Sequence, residues 1–309
     1  MKLLSVIVPC YNEQEVIEDF YAEFVKVIPF FTEKNIETEL LFIDDGSKDN
    51  TVAEVKKLKA KDDRVRMISF SRNFGKEAAI YAGLEKSRGD YVVVMDADLQ
   101  DPPALLPEMF AGIEEGYESV ATRRTNRKGE PIIRSFFAKC FYKIMRKMSK
   151  ADIVDGARDY RLMTRKFVDA VLKISEYNRF TKGIFGWVGF ETKWLTFENI
   201  ERQKGKTKWS FWKLLIYSIE GIVGFSTAPL AFASVLGIVF CMLAFVFLLF
   251  IFGRALFFGD PVAGWPSTIC IILLVSGVQM FCMGIMGQYL AKTYLEVKHR
   301  PIYVVDEEI

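Results

Sequence analysis

Histidine is nearly absent: the 309 residues hold one, His299, near the end of the chain. That leaves no base for a His-dependent nucleophilic triad and no His pair for a zinc hydrolase site. Glycine-rich phosphate loops are missing too. No G-x-G-x-x-G follows the first apolar run and no G-x-x-x-x-G-K-[ST] occurs, which argues against a dinucleotide dehydrogenase and against an ATPase. The five cysteines show no paired spacing, so neither a disulfide framework nor a zinc pattern is expected. No large excess of either charge exists, with 41 Lys and Arg against 39 Asp and Glu. The basic residues gather beside apolar segments, a poor fit to nucleic-acid binding.

Charge is also absent from two long stretches, Gly221 to Gly253 and Pro261 to Ala291. Each exceeds the roughly 20 apolar residues needed to cross about 30 Å of hydrocarbon. They predict two transmembrane helices, near 228–252 and 267–290, and explain a mean hydropathy of +0.15 that is high for a soluble protein. Gly259, Pro261, Gly264 and Pro266 make the connection a short turn. Arg202, Lys204, Lys206, Lys208 and Lys213 precede the first span, and Lys292, Lys298, His299 and Arg300 follow the second. The positive-inside rule then puts both ends and the large N-terminal part in the cytoplasm. MKLLSVIVPCYNE lacks signal-peptide character, because its short apolar run ends in Tyr-Asn-Glu.

Residues 1 to about 125 alternate between β-rich runs and helical patterns. Strands are expected at 3–8, 37–44, 65–70, 90–96 and 118–122, with helices over 13–28, from Ser47 or Asp49 to Lys61, and over 76–87. Strands returning this regularly between helices imply a Rossmann-like α/β fold, a mostly parallel sheet covered on both faces. Ligands in such sheets bind beyond the carboxyl ends of the strands. Polar groups gather at those ends: Pro9, Tyr11, Asn12 and Glu13; Asp44 and Asp45; Ser71, Arg72 and Asn73; then Asp96, Asp98, Gln100 and Asp101.

The segment 134–150 places Phe136, Phe137, Cys140, Phe141, Ile144, Met145 and Met148 at helical spacing among six basic residues and no acid. A helix of this kind suits either an anionic membrane surface or a core-facing position with a solvated basic face. KWSFWKLLIYSIEG, leading into the first span, is expected to lie along the bilayer. The resulting division is a globular domain over 1–205, a juxtamembrane helix over 206–226, the spans within 227–291 and a cytoplasmic tail over 292–309.

The carboxylates of MDADLQDPP carry the sharpest chemical signal. Asp96 and Asp98 are two apart, so on an extended strand end both point to one face. Two hard carboxylates with Gln100 close by suit Mg²⁺ or Mn²⁺, which takes one or two carboxylates and completes its shell with water and substrate phosphates. A general acid/base pair with one raised pKa is the competing reading. Asp101, before Pro102-Pro103, is expected to cap the next helix.

VIVPCYNEQE, LFIDDGSKDNT, SRNFGKEAA and MDADLQDPP, in this order, resemble family 2 glycosyltransferases of the GT-A fold. DADLQDPP, DGARDYRLMTR, ERQKGKTKWS and the terminal apolar hairpin resemble a narrower group, the polyisoprenyl-phosphate glycosyltransferases. That group includes bacterial undecaprenyl-phosphate (bactoprenol) glucosyltransferases and dolichol-phosphate-mannose synthases. The resemblance covers nearly the whole chain.

It implies a metal-dependent, inverting transfer of a hexose from a UDP-sugar to undecaprenyl phosphate, at the cytoplasmic face of a bacterial inner membrane. Pro9, Tyr11, Asn12, Glu13, Asp45, Arg72, Lys76 and Asp96 would bind the nucleotide sugar, with Tyr11 stacking on the base. Asp96, Asp98 and Gln100 would hold the metal on the diphosphate. Arg123, Arg134, Arg202 and Lys206 would bind the lipid phosphate. Asp159 occupies the segment where many relatives carry a catalytic acid, with Asp155 competing; either would orient acceptor or sugar. Self-association is implied as well. A membrane-tethered transferase acting on a non-lipid sugar, as in polysaccharide synthesis, is the alternative, although the Q-x-x-R-W motif of processive synthases is absent. A non-catalytic membrane scaffold would have no reason to keep repelling carboxylates together.

Overall fold

The computed structural model describes residues 1–124, 154, 156–197, 223, 226–258 and 264–309. The interfacial helix expected over 134–150 and nearly all of the juxtamembrane segment lie outside these residues.

The first half folds as the alternation predicts: β1 (Lys2–Cys10), α1 (Ile17–Val25), α2 (Ile28–Glu33), β2 (Ile36–Asp44), α3 (Thr51–Lys59), β3 (Val65–Phe70), α4 (Lys76–Lys86), β4 (Tyr91–Val94), α5 (Leu106–Glu114) and β5 (Ser119–Arg124). Then come β6 (Ala157–Thr164), α6 (Arg165–Leu172), α7 (Thr181–Trp187), β7 (Thr192–Phe197), α8 (Ala228–Phe258), α9 (Trp265–Val297) and β8 (Val305–Glu308). The helix expected over 13–28 and closed by Pro29 is shorter: α1 ends at Val25, and Pro29 instead enters the first turn of a second helix, α2, where its missing N–H costs no helical bond.

The eight strands lie in the order β7-β5-β6-β4-β1-β2-β3-β8. β4, β1, β2 and β3 are mutually parallel, whereas β6 runs antiparallel between β4 and β5. Side chains of β1 alternate between two cores. Leu4, Val6 and Val8 join Phe20, Phe31 and Phe110 on one face, while Ile7 joins Ile80, Leu84 and Phe167 on the other. Both faces being covered, the strand reads as one apolar run. Each large side chain buried this way is worth about 1.5–3 kcal/mol.

The antiparallel β6 brings the start of a strand to the rim where its neighbours end. Val94 pairs with Arg161 across β4 and β6. Two further steps along that register set Asp96 level with Asp159.

α8 and α9 contain 31 and 33 residues, about 46 and 50 Å at 1.5 Å per residue. Both are long and apolar enough to cross a membrane, over Ala228–Phe247 and Leu274–Val297. Their large apolar side chains face outward, Phe250 and Leu290 among them. The helices touch where Cys282 Sγ approaches the Ala233 carbonyl, and Tyr289 donates to the Ser226 carbonyl at 2.5 Å. The end of the chain returns to the sheet as β8, antiparallel to β3.

Candidate active site

The loops after β1, β2 and β3 are knitted to one another. Asn12, at φ 53°, accepts the Lys48 N–H on its side-chain oxygen and donates its own N–H to Ser47 Oγ, both at 2.8 Å. Glu13 donates its N–H to Thr51 Oγ1. Buried Asp44 accepts from Ser69 Oγ at 2.7 Å and from the Ser47 N–H. Asp45 reaches the third loop, accepting the Phe74 N–H at 2.6 Å and the Gly75 N–H at 2.9 Å. Burial pushes the Asp45 carboxyl up to about 6 against the pull of these two N–H groups.

Glycine is required twice here. Gly46 has φ +68°, and a Cβ on it would stand 2.5 Å from the Arg72 carbonyl carbon. Gly75, at φ +99°, turns the chain into α4, a conformation L side chains rarely adopt. Together they let the third loop lie on the second and deliver Lys76 to the rim.

Lys76 opens α4 and joins the two strand ends that the register sets level. Its Nζ lies 2.7 Å from Asp96 Oδ1 and 2.6 Å from Asp159 Oδ2. Lys182, near the start of α7, approaches Asp159 Oδ1 at 3.6 Å and donates to the Ala157 carbonyl at 3.1 Å. Burial alone would push the Asp159 carboxyl up, but Lys182, Lys76 and Arg158 outweigh it and hold it well below the usual range. Burial likewise works against a charged Lys76, yet Asp159 and Asp96 overcome it and raise its pKa. Near neutrality the arrangement is therefore a fixed ammonium between two carboxylates. Asp159 accepts hydrogen bonds and carries no proton to give.

β4 ends at Val94, and the chain turns at Ala97-Asp98 with Leu99 at φ 56°. Asp98 Oδ1 accepts the Gln100 N–H at 3.1 Å. Asp101 does not cap the following helix, whose first turn has no side-chain cap. Its carboxylate is wholly buried and bonded to Arg158 Nε at 2.8 Å, and Tyr160 donates to the Pro102 carbonyl. The physical reason is proximity: an antiparallel neighbour brings a guanidinium to the loop, and an ionic partner outcompetes a neutral N–H. Burial still lifts Asp101 to about 6, opposed by Arg158.

Among the described residues no group of three or more His, Cys, Asp or Glu side chains could by itself hold a metal ion. Asp96, whose two oxygens lie 2.7 and 2.9 Å from Lys76 Nζ, and Asp98 are two hard oxygen donors, the number expected where a divalent ion is shared with substrate phosphates; an ion there would share Asp96 with the Lys76 ammonium. Both carboxylates are partly accessible, and the donor set fits Mg²⁺ or Mn²⁺.

The family model "Glycosyl transferase family 2" matches residues 5–172. The chain belongs to glycosyl transferase family 2. A Bacillus subtilis glycosyltransferase, CsbB, is 43% identical over 99% of this chain and 92% of its own length. The prophage bactoprenol glucosyl transferase homolog of Escherichia coli is 38% identical over 98% of both chains. The bactoprenol glucosyl transferase of Shigella phage SfV is 38% identical over 99% of this chain and 98% of its own. The family resemblance of the motifs and the α/β fold of the GT-A type are both borne out.

Within this family 2 chain, the structure brings Lys76, Asp96 and Asp159 into direct contact, with Asp45 supporting the loop before Lys76. Pro9 is the last residue but one of β1, with Tyr11, Asn12 and Glu13 following the strand, and Arg72 lies over the Phe74 ring at 3.9 Å. Arg123 is exposed near the end of β5. Asp155, Arg134, Arg202 and Lys206 lie outside the described residues. Sequence reasoning missed Lys182 and Arg158. Arg158 stood inside the quoted DGARDYRLMTR, and only β6 running antiparallel reveals its partner. No signal in the sequence singled out Lys182.

Proposed function

We propose that this protein transfers a hexose from a nucleotide diphosphate sugar, UDP-glucose or UDP-GlcNAc, to the phosphate of undecaprenyl phosphate at the cytoplasmic face of a bacterial inner membrane. The observation that carries the reading is the fixed Asp96–Lys76–Asp159 arrangement at the sheet's rim, in a chain that also holds two membrane-length apolar helices. Relatives named bactoprenol glucosyl transferases, alike over nearly the whole chain, support a polyprenyl acceptor and favour glucose.

The chemistry suits a site in which Asp159, held anionic by Lys182, Lys76 and Arg158, is only a weak base. A phosphate monoester is largely ionised at pH 7, its second pKa being about 6. Its oxygen attacks the anomeric carbon as the bond to the diphosphate oxygen breaks, and the nucleoside diphosphate departs with the electron pair. Configuration inverts and no proton need be removed. Asp159, kept anionic, and Asp96 fix the Lys76 ammonium beside the developing charge, an electrostatic contribution rather than proton transfer. Asp96 and Asp98 would hold a divalent cation, with Gln100 alongside; bound there, it supplies neutralisation of the leaving diphosphate. Arg123, with Arg134, Arg202 and Lys206, would engage the acceptor phosphate through charge-assisted bonds.

The test incubates the purified full chain with undecaprenyl phosphate and a panel of UDP- and GDP-sugars, with and without EDTA. Lipid-linked sugar that forms with one UDP-hexose and disappears on chelation is expected. Product unaffected by EDTA removes the metal, and transfer to free sugars alone removes the lipid acceptor.

A further inference from the structure

A polar cavity lies beside the start of α4, with Glu77 and Ala78 in its wall. Its volume is about 200 Å³, and three parts of the chain form it: the loop carrying Arg72 and Phe74, the loop carrying Asn178 and Arg179, and the end of α9 at Lys292. Drug-sized ligand pockets run to roughly 300–1,000 Å³, and this space is smaller. At a water's share of about 30 Å³ it admits a phosphate group with a few waters.

Its charge is lopsided. Arg72, Arg179 and Lys292 contribute three cations, while Glu77 is the one carboxylate in its wall, and Glu77 already accepts the N–H and hydroxyl of Thr181. Arg179 is the telling residue, with only 8% of its surface exposed. It donates from Nη1 to the Ile174 carbonyl and stacks on Tyr81; its Nε and Nη2, like Asn178 Nδ2, are shut off from solvent and have no hydrogen-bond partner among the described residues. A buried guanidinium with two idle donors costs free energy unless an anion answers it. Burial lowers the Arg179 pKa, with Tyr81, Glu77 and Glu176 opposing it only in part.

We infer that this cavity binds a phosphate group between Arg179, Arg72 and Lys292, and that its position favours the headgroup phosphate of an anionic membrane lipid over free phosphate. Lys292 is the first charge after the uncharged run Pro261 to Ala291, so the cavity stands where α9 leaves its apolar stretch. One turn later Glu296 accepts the Tyr177 and Asn178 N–H groups, tying the same loop to the same helix. A lipid phosphate here would fasten the globular domain to the bilayer edge. It would also bear on Lys76, because the Arg72–Phe74 loop leads directly into α4.

The inference is independent of the acceptor chemistry, since its test reads binding and not turnover. Full-length protein in detergent micelles is titrated with inorganic phosphate and, separately, with dihexanoyl phosphatidylglycerol, following the rise in Tm. Saturable stabilisation is expected from both. Arg179→Gln and Lys292→Gln should each weaken it at least tenfold, the loss expected when a hydrogen bond to a charged group is removed. Tighter binding of the lipid assigns the headgroup as the source; equal affinities assign free phosphate. Absence of saturable binding by the native chain overturns the site. So do unchanged affinities in both variants. Should Arg179→Gln fail to fold, Lys292→Glu decides alone, and native-like affinity in that variant overturns the site.

Discussion

Lys76 has the most to do in the smallest space. Asp96 and Asp159 would repel each other across the rim, and the ammonium between them turns that repulsion into a defined geometry. Lys76→Met should lower kcat by roughly 10²–10³, the usual range for removing one preorganised electrostatic donor, while Lys76→Arg retains part of the rate. Asp159→Asn should also lose turnover, with little change in the KM for nucleotide sugar; normal turnover in that variant removes Asp159 from the mechanism. Asp45 gives a pH signature. Its folded pKa, about 6, stands above the ordinary carboxylate value near 3.9. Between these values the folded chain holds a proton that the unfolded chain has released, so this group favours the fold increasingly as pH falls from 7 towards 4. The Tm of the native protein should therefore rise relative to Asp45→Asn over that interval. A constant difference between the two would contradict the assignment.

At the scale of elements, much was legible because period and position agree. Apolar runs without alternation marked strands covered on both faces, and the polar residues after β1, β2, β3 and β4 fell on one rim as open α/β sheets require. What could not be read was β6. Its residues look like any other short strand, and nothing local tells a chain to run antiparallel between β4 and β5. The pairing of Asp159 with Lys76, and of Arg158 with Asp101, follows from that one topological fact. The capping role expected for Asp101 failed for the same reason. β8 was silent too, since four residues rich in acids make a weak strand signal. Gly46 tests the packing of the rim loops directly. Gly46→Ala sets a Cβ 2.5 Å from the Arg72 backbone at a left-handed φ, which should cost roughly 1–3 kcal/mol. Both a lower Tm and a reduced affinity for nucleotide sugar are expected, whereas Gly116→Ala, where a Cβ meets nothing within 4 Å, should show only the cost of its positive φ.

The whole molecule joins a polar reaction rim to a hairpin that faces outward with its apolar side chains. On the proposed function, that combination would bring a water-soluble donor and a lipid acceptor to one chain. Leu243 lies within the first membrane-length stretch and is 50% exposed. Leu243→Arg should carry a penalty of about 2.5–3.5 kcal/mol at a membrane centre, seen as a smaller fraction of protein in the membrane pellet. A side chain buried in a soluble hairpin would instead lower Tm without changing the pellet. The chemistry itself is tested most directly by the acceptor's phosphate. Purified native protein should be given a labelled UDP-hexose with either undecaprenyl phosphate or undecaprenol, at matched concentrations and neutral pH. A site whose Asp159 is held well below the usual carboxylate range, and is therefore a weak base, should glycosylate the phosphate and leave the alcohol untouched. Comparable transfer to undecaprenol would mean that a hydroxyl proton is being removed, and would contradict a mechanism in which the ionised phosphate is the nucleophile.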